Sequence, residues 1–239
     1  MKVGTLSIIT VVLFEMLAVI QARMSSARLP GKVLMDLCGR VVLGRLVDRL
    51  SAAKTITHIV VATSNEHSDQ AIADFCMKEG IKCHRGSLGN VTQRFCQVAT
   101  VEKVDAFVRI SGDSPLIDPA IVDRAVLYYQ QEECDLVTNV LVRSFPKGQS
   151  VEVIRFESLE AIHRYGQSVD SQEHVTTAFY QDPERYRIVG FTSGIDAGKV
   201  NLSIDTPDDL IRLEKIVKAC GDVWRGWRDL LGIYNDLQK

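Results

Sequence analysis

Arg23, Arg28 and Lys32 fall in one short stretch, QARMSSARLPGK, with Ser25, Ser26 and Gly31 between them. Three cations in one loop call for an anion. The serines can donate hydrogen bonds, and Gly31 lets the backbone approach a ligand closely. A polyphosphate, which needs several charges neutralised in a small volume, suits this arrangement best, although a solvated basic loop would have the same charge content. Further on, Asp113 is bracketed by Gly112 and Pro115, and Asp205 precedes Thr206-Pro207. Both aspartates stand at strand ends and form a candidate pair to hold a hard cation. Asp118 has a simpler explanation: it stands before Pro119, where an Asp N-cap followed by Pro starts a helix. The same logic makes Thr206 the cap of the next helix, with Asp208 and Asp209 suiting its first turn, and leaves Asp205 without a capping duty.

These residues must be carried by strands. Leu17 to Ile20 is a short apolar run that reads as a buried strand opening at Gln21 into the basic loop, and open α/β sheets bind ligands at the carboxyl ends of their strands. After the loop, apolar spacing predicts a helix over Val41 to Ala53, a strand over His58 to Ala62 and a helix over Asp69 to Lys78. A short strand at Ile81 to His84, a helix over Val91 to Val101 and a strand over Ala106 to Ile110 follow. The alternation is that of βαβ units with a mostly parallel sheet. Ala120 to Gln131 reads as helix. Beyond Cys134 the pattern loosens into strands at Leu136 to Val140 and Val151 to Phe156, helices near Ser158 to Tyr165 and Ser171 to Tyr180, and a last strand at Val200 to Ile204. A helix after Pro207 runs to Ala219. The tail from Asp222 to Leu237, with Trp224 and Trp227, reads as an amphipathic helix packed on the body or on another subunit.

The totals bound the possibilities. At 239 residues, 46% hydrophobic and 24% charged, the chain is of ordinary globular composition. With 28 basic against 30 acidic residues, nothing global points to nucleic acid. The six cysteines are scattered without metal-ligand spacing, which fits free thiols in a reducing cytosol and a cytoplasmic location. Residues 1–15 form an apolar extension, and residues 16–239 read as the single domain. Lys2 and the run Val3 to Phe14 look like a secretory signal, but cleavage there would remove the strand that presents the basic loop. An upstream start or dispensable extension is the preferred reading, with a membrane anchor or an extra edge strand as the alternatives. No stable membrane association is expected. GxGxxG, Walker A, GxSxG and HExxH are all missing from the sequence.

QARMSSARLPGK, VVATS, the Arg85-Gly86-Ser87 turn, VRISGDSPLIDP, GQSVEV, EHVT and SIDTPDDL occur in the order found in the cytidylyltransferase superfamily. The chain most resembles the SpsF-type branch of polysaccharide biosynthesis, and more distantly it is similar to CMP-Kdo and acylneuraminate synthetases. The resemblance implies a Rossmann-like nucleotidyltransferase fold with a mixed, mostly parallel sheet. It also implies Mg²⁺-dependent transfer of CMP from CTP to a sugar or sugar acid, with pyrophosphate released, and a homodimer. By motif position, Arg23, Arg28 and Lys32 would hold the triphosphate. Ala22, Thr63 and Arg109 would lie around the nucleoside, with Ser111 beside them. Asp113 and Asp205 would hold Mg²⁺, and Arg23, Lys32 and both aspartates would form the catalytic set. Gly148, Glu152, Glu173 and His174 would lie towards the sugar, with His174 as a possible general base.

The spacing by itself reads two of these differently: Glu152 alternates with Val151 and Val153 and would face solvent, and Glu173 suits a helix first turn. Gln149 and Ser150 replace a Leu and an Asp common in the related motif, Asn90 stands for a frequent Asp, and Asn201 for a common Arg. A glycosyltransferase using a nucleotide sugar and a non-catalytic nucleotide-binding relative are the competing readings.

Overall fold

The structure, a computed structural model, describes residues 16–165, 175–221 and 223–239. The expectations for the extension at 1–15, and for Glu173 and His174, lie outside the described residues.

Seven strands form one mixed sheet in the order β3-β2-β1-β4-β6-β5-β7. They are β1 (Met16–Gln21), β2 (Ile56–Ser64), β3 (Lys82–Gly86), β4 (Ala106–Ser111), β5 (Leu136–Thr138), β6 (Glu152–Arg155) and β7 (Ile188–Gly190). β1 pairs in parallel with both β2 and β4, and β2 with β3; β6 runs antiparallel to β4 and β5. The helices are α1 (Val42–Leu50), α2 (Gln70–Glu79), α3 (Val91–Glu102), α4 (Pro119–Gln131), α5 (Phe156–Tyr165), α6 (Thr177–Gln181), α7 (Pro207–Cys220) and α8 (Trp227–Asp236).

Both faces of the sheet are covered, which is why its central strands are apolar on both sides. On one face Ala18, Ile20, Val61, Val108 and Ile110 pack with Leu46 of α1 and Val122 of α4. On the other, Leu17, Val19, Val60 and Phe107 pack with Phe95 of α3 and Leu159 of α5. A third cluster, including Leu37, Leu116, Leu202, Ile204, Leu213 and Leu230, seats α7 and α8 beside the basic loop.

The capping expectations hold. Asp118 accepts from the Ala120 amide at 2.9 Å and also from the Trp227 amide at 2.8 Å, so one carboxylate starts α4 and fastens α8. Thr206 and Asp209 form a reciprocal capping box at the start of α7. Asn90 caps α3 by accepting from the Gln93 amide at 2.8 Å, a duty an Asp there would perform equally well.

Two expectations need correction, and one strand lies where none was expected. Val200 to Ile204 is not a strand: only an isolated bridge joins Lys147 to Asn201, and the apolar residues of the run serve the third cluster instead of the sheet. β7, a three-residue edge, lies where the sequence reading places no strand. Trp224 is 53% exposed and does not pack in the core, whereas Trp227 is buried.

Candidate functional site

β1 and β4 are neighbours, but the chain leaves β1 towards β2 on one side and reaches β4 only later on the other. That reversal is a topological switch point, where the loops at the carboxyl ends of the two strands diverge and leave a crevice. The crevice is a cleft of about 320 Å³ whose lining includes Gln21, Arg23, Arg28, Lys32, Arg109, Ser111, Asp113 and Asp205.

The loop after β1 is built around Met24. Its carbonyl accepts from the amides of Ser26 and Gly31, both at 2.9 Å, closing the loop on itself. Its amide donates to Asp69 at 2.7 Å. Asp69 is fully buried and accepts in addition from the Ser64 amide at 3.0 Å and the Ser64 hydroxyl, so it rivets the basic loop to the end of β2. Gly112 brings the other wall close: its amide donates to the Gln21 carbonyl at 2.8 Å, and a Cβ there would sit 2.8 Å from that same oxygen.

Lys32, buried to 9% exposure, crosses the cleft. Its Nζ donates to Asp113 Oδ2 at 2.7 Å, to Asp205 Oδ1 at 2.9 Å and to the Ile204 carbonyl at 2.7 Å. Arg28 donates to the same Asp205 oxygen at 2.9 Å. Asp113 and Asp205 are adjacent because the Ile204 amide donates to the Asp113 carbonyl at 3.0 Å, which zips the two turns together. Burial by itself would raise the Asp205 pKa; hydrogen bonds and charge from Lys32 and Arg28 outweigh it and hold the group below its ordinary value.

At the end of the same cleft, Arg109 on β4 faces Glu152 on β6 in antiparallel register and forms an ion pair with it. Its other terminal nitrogen donates to Gln21 Oε1 at 3.0 Å. Glu152 is buried, not solvent-facing as its alternation suggested, and its second oxygen accepts from the Tyr180 hydroxyl at 2.7 Å. Tyr180 in turn meets the Thr138 hydroxyl at 2.9 Å. Burial and the Glu152 charge push the Tyr180 pKa up, which keeps its proton on the hydroxyl that donates.

The remaining candidates stand apart from the cleft wall. Ala22 is buried beneath it, its amide bonded to the Ala62 carbonyl at 3.2 Å. Thr63 is fully buried with its hydroxyl unpartnered. Gly148 takes a φ of +85°, and a Cβ there would stand 2.6 Å from Leu202 backbone atoms, so close approach to that segment already requires a glycine. Gln149, beside it, is fully buried and bridges the Asp118 amide and the Leu116 carbonyl. Asn201 donates to Asp209 at 3.0 Å, next to the Arg212–Asp209 pair.

Gln21, Asp69 and Tyr180 are absent from the residue set read from the sequence. Gln21 had a usable signal, a polar residue ending an apolar strand at the ligand edge; Asp69 and Tyr180 become visible only through long-range contacts.

The chain matches the family described as Cytidylyltransferase over residues 17–224. It belongs to that family. It is 31% identical over 87% of its length to the spore coat polysaccharide biosynthesis protein SpsF of Bacillus subtilis, covering 88% of that protein. A 3-deoxy-manno-octulosonate cytidylyltransferase of Solibacter usitatus is 37% identical over 47% of this chain and 44% of its own. A solved cytidylyltransferase from Leptospira borgpetersenii superposes with a TM-score of 0.88 at 27% identity, over 94% of each chain. The cytidylyltransferase membership, and with it the Rossmann-like nucleotidyltransferase fold expected from the motifs, agree with the sheet described above.

Among the described residues no group of three or more His, Cys, Asp or Glu side chains is placed to hold a metal, and no helix is long and apolar enough to cross a membrane. All six cysteines are free thiols. Two carboxylates do suit Mg²⁺ in a cytidylyltransferase, because that ion is commonly bound by one or two carboxylates together with substrate phosphates and water. The Asp113 and Asp205 oxygens already converge on one cation, the Lys32 ammonium, and are hard donors of the required type.

Proposed function

We propose that this chain transfers CMP from CTP to a hydroxyl of a sugar or sugar acid and releases pyrophosphate. The observation that carries this reading is the convergence of Lys32 and Arg28 with Asp113 and Asp205 in one crevice at the β1/β4 switch point. The sugar-acid acceptor is drawn from the likeness to the Solibacter protein, and a polysaccharide destination from the likeness to SpsF.

In this mechanism an acceptor oxygen attacks the α-phosphorus of CTP, the bond from that phosphorus to the bridging oxygen breaks, and pyrophosphate leaves with the electron pair. The hydroxyl proton passes to solvent or a nearby base. Charge builds on the phosphate oxygens as this happens, and donors that are already in place stabilise it without reorganisation. Arg23, Arg28 and Lys32 are the donors assigned to the triphosphate. Asp113 and Asp205 would hold Mg²⁺, which when bound supplies further charge to the phosphates and lowers the pKa of a coordinated hydroxyl. Arg109, held by Glu152 and Gln21, forms the nucleoside end of the cleft. Gly112 lets that wall approach without a side chain between. Positioning of the acceptor oxygen in line with the leaving group supplies the rest of the acceleration.

Incubation with each of the four NTPs, Mg²⁺ and a panel of sugar acids, with pyrophosphate measured, tests the proposal. Acceptor-dependent pyrophosphate from CTP is expected. Release of a nucleoside diphosphate from a nucleotide sugar would favour a glycosyltransferase instead.

A further inference from the structure

We infer that Lys32 is a built-in cation that keeps Asp113 and Asp205 from holding a divalent metal until a triphosphate draws its ammonium away, so that metal binding is conditional on nucleotide. This rests on the proposed function for the identity of the triphosphate.

All three ammonium hydrogens have acceptors: Nζ has an oxygen from each aspartate and the Ile204 carbonyl at 2.7 to 2.9 Å. The side chain is only 11% exposed, so water competes little for these bonds. Asp205 Oδ1 is doubly occupied, because Arg28 donates to it as well. The two carboxylates are therefore already matched by two side-chain cations. A divalent ion entering this arrangement alone would meet the Lys32 ammonium at the convergence of the same oxygens, and like charges at such separations repel strongly in a partly buried site.

A triphosphate changes the balance. It brings several negative charges to the same cleft, where Lys32 and Arg28 can exchange a carboxylate for a phosphate oxygen. Lys32 has a flexible four-carbon stem, and Arg28 is 65% exposed, so both can follow the ligand. Once they turn, the aspartates lose their cations while the phosphates supply further oxygen donors, which is the donor set Mg²⁺ prefers. By linkage the effect is reciprocal: metal must tighten nucleotide binding by the same factor as nucleotide tightens metal binding.

Mn²⁺ binding followed by electron paramagnetic resonance reads this without turnover. The wild-type protein alone is expected to bind Mn²⁺ weakly, and addition of CTP without acceptor should raise the affinity beyond that of CTP for Mn²⁺ by itself. Lys32→Met alone, without nucleotide, should bind Mn²⁺ at least about tenfold more tightly than wild type. Adding Asp205→Asn to that variant should abolish the gain, which ties it to this site. Equal Mn²⁺ affinity in wild type and Lys32→Met, or no protein-bound Mn²⁺ in either, overturns the inference. If Lys32→Met does not fold, the wild-type titration still decides: metal bound as tightly without CTP as with it is contrary to a nucleotide-gated site. Pyrophosphate release separates the two claims, since normal CTP turnover with no Lys32 effect on Mn²⁺ would sink this inference alone. A CTP-independent Lys32 effect with no turnover on any NTP would sink only the functional reading.

Discussion

Asp113 and Asp205 share one nitrogen. Lys32 Nζ lies 2.7 Å from an oxygen of the first and 2.9 Å from an oxygen of the second, although the aspartates belong to turns that are remote in the chain. What brings them together is backbone, the Ile204 amide on the Asp113 carbonyl, and what keeps Asp205 free to face the cleft is the division of labour beside it. Thr206 and Asp209 close the capping box of α7, and Asp209 also accepts from the Asp205 amide at 2.9 Å. The cap residues hold the helix while their neighbour lines the cleft.

Arg28 is the cation to test for binding without instability. It is 65% exposed, and among the described residues it pairs with Asp205. Arg28→Ala should change unfolding free energy by no more than about 0.5 kcal/mol, as surface substitutions generally do. A charge-assisted hydrogen bond is worth roughly 1.5 to 3 kcal/mol, so the KM for CTP should rise on the order of tenfold or more. Urea denaturation and steady-state kinetics on the same preparation check both halves.

Arg109 and Glu152 should behave as one unit. Removing one partner of a buried pair leaves the other charge uncompensated, and Arg109→Met should cost about 3 to 5 kcal/mol. In the double variant Arg109→Met/Glu152→Gln the loss should be clearly less than the sum of the single losses, since no stranded carboxylate remains. A double-mutant cycle by chemical denaturation measures the coupling, and strict additivity would refute it.

Asp69 should matter to the site although it touches no part of the cleft. Asp69→Asn keeps the shape but weakens the acceptors for the Met24 and Ser64 amides. The basic loop should loosen, so that KM for CTP rises more than kcat falls, and amide exchange at Met24 should quicken. Unchanged exchange at Met24 would show that the loop is held by other means.

The acid limb of stability should carry the mark of Asp209. Burial raises its pKa, but Arg212 and the backbone amides of Asp205 and Thr206 outweigh that and bring it below its ordinary 3.8. A depressed carboxylate contributes stability that is fully present above the unfolded value and is lost as pH falls through the folded one. Asp209→Asn should therefore lower Tm at neutral pH, and the gap to wild type should hold down to about pH 4 and close below it. Thermal melts across that range would expose a pH-independent gap, which is the contrary outcome.

Much of this architecture was legible in the sequence because local signals agreed with the global fold. The apolar run before Gln21, the Asp118-Pro119 start and the Thr206-Pro207 start each have a local physical cause and each recurs in the structure. Alternation alone points Glu152 to solvent, but it identifies a polar face only where one side of a sheet meets water, and here both sides are covered. Val200 to Ile204 looked like a strand because apolar residues gathered for a helix-packing cluster carry the same pattern. β7, at three residues, is too short to show any period. The basic character of the loop that carries Lys32 is plain in the sequence, but the bonds of Lys32 to Asp113 and Asp205 join positions 81 and 173 residues away, which no local pattern encodes.

The most direct measurement is acceptor-dependent pyrophosphate release from CTP by wild type and by Asp113→Ala, each checked for native folding by circular dichroism. The account predicts Mg²⁺-dependent release by wild type that falls by at least about a hundredfold in the variant, the scale expected when a transition-state electrostatic contact is removed. Turnover that survives unchanged in Asp113→Ala would contradict it, because Asp113 would then have no part in the reaction.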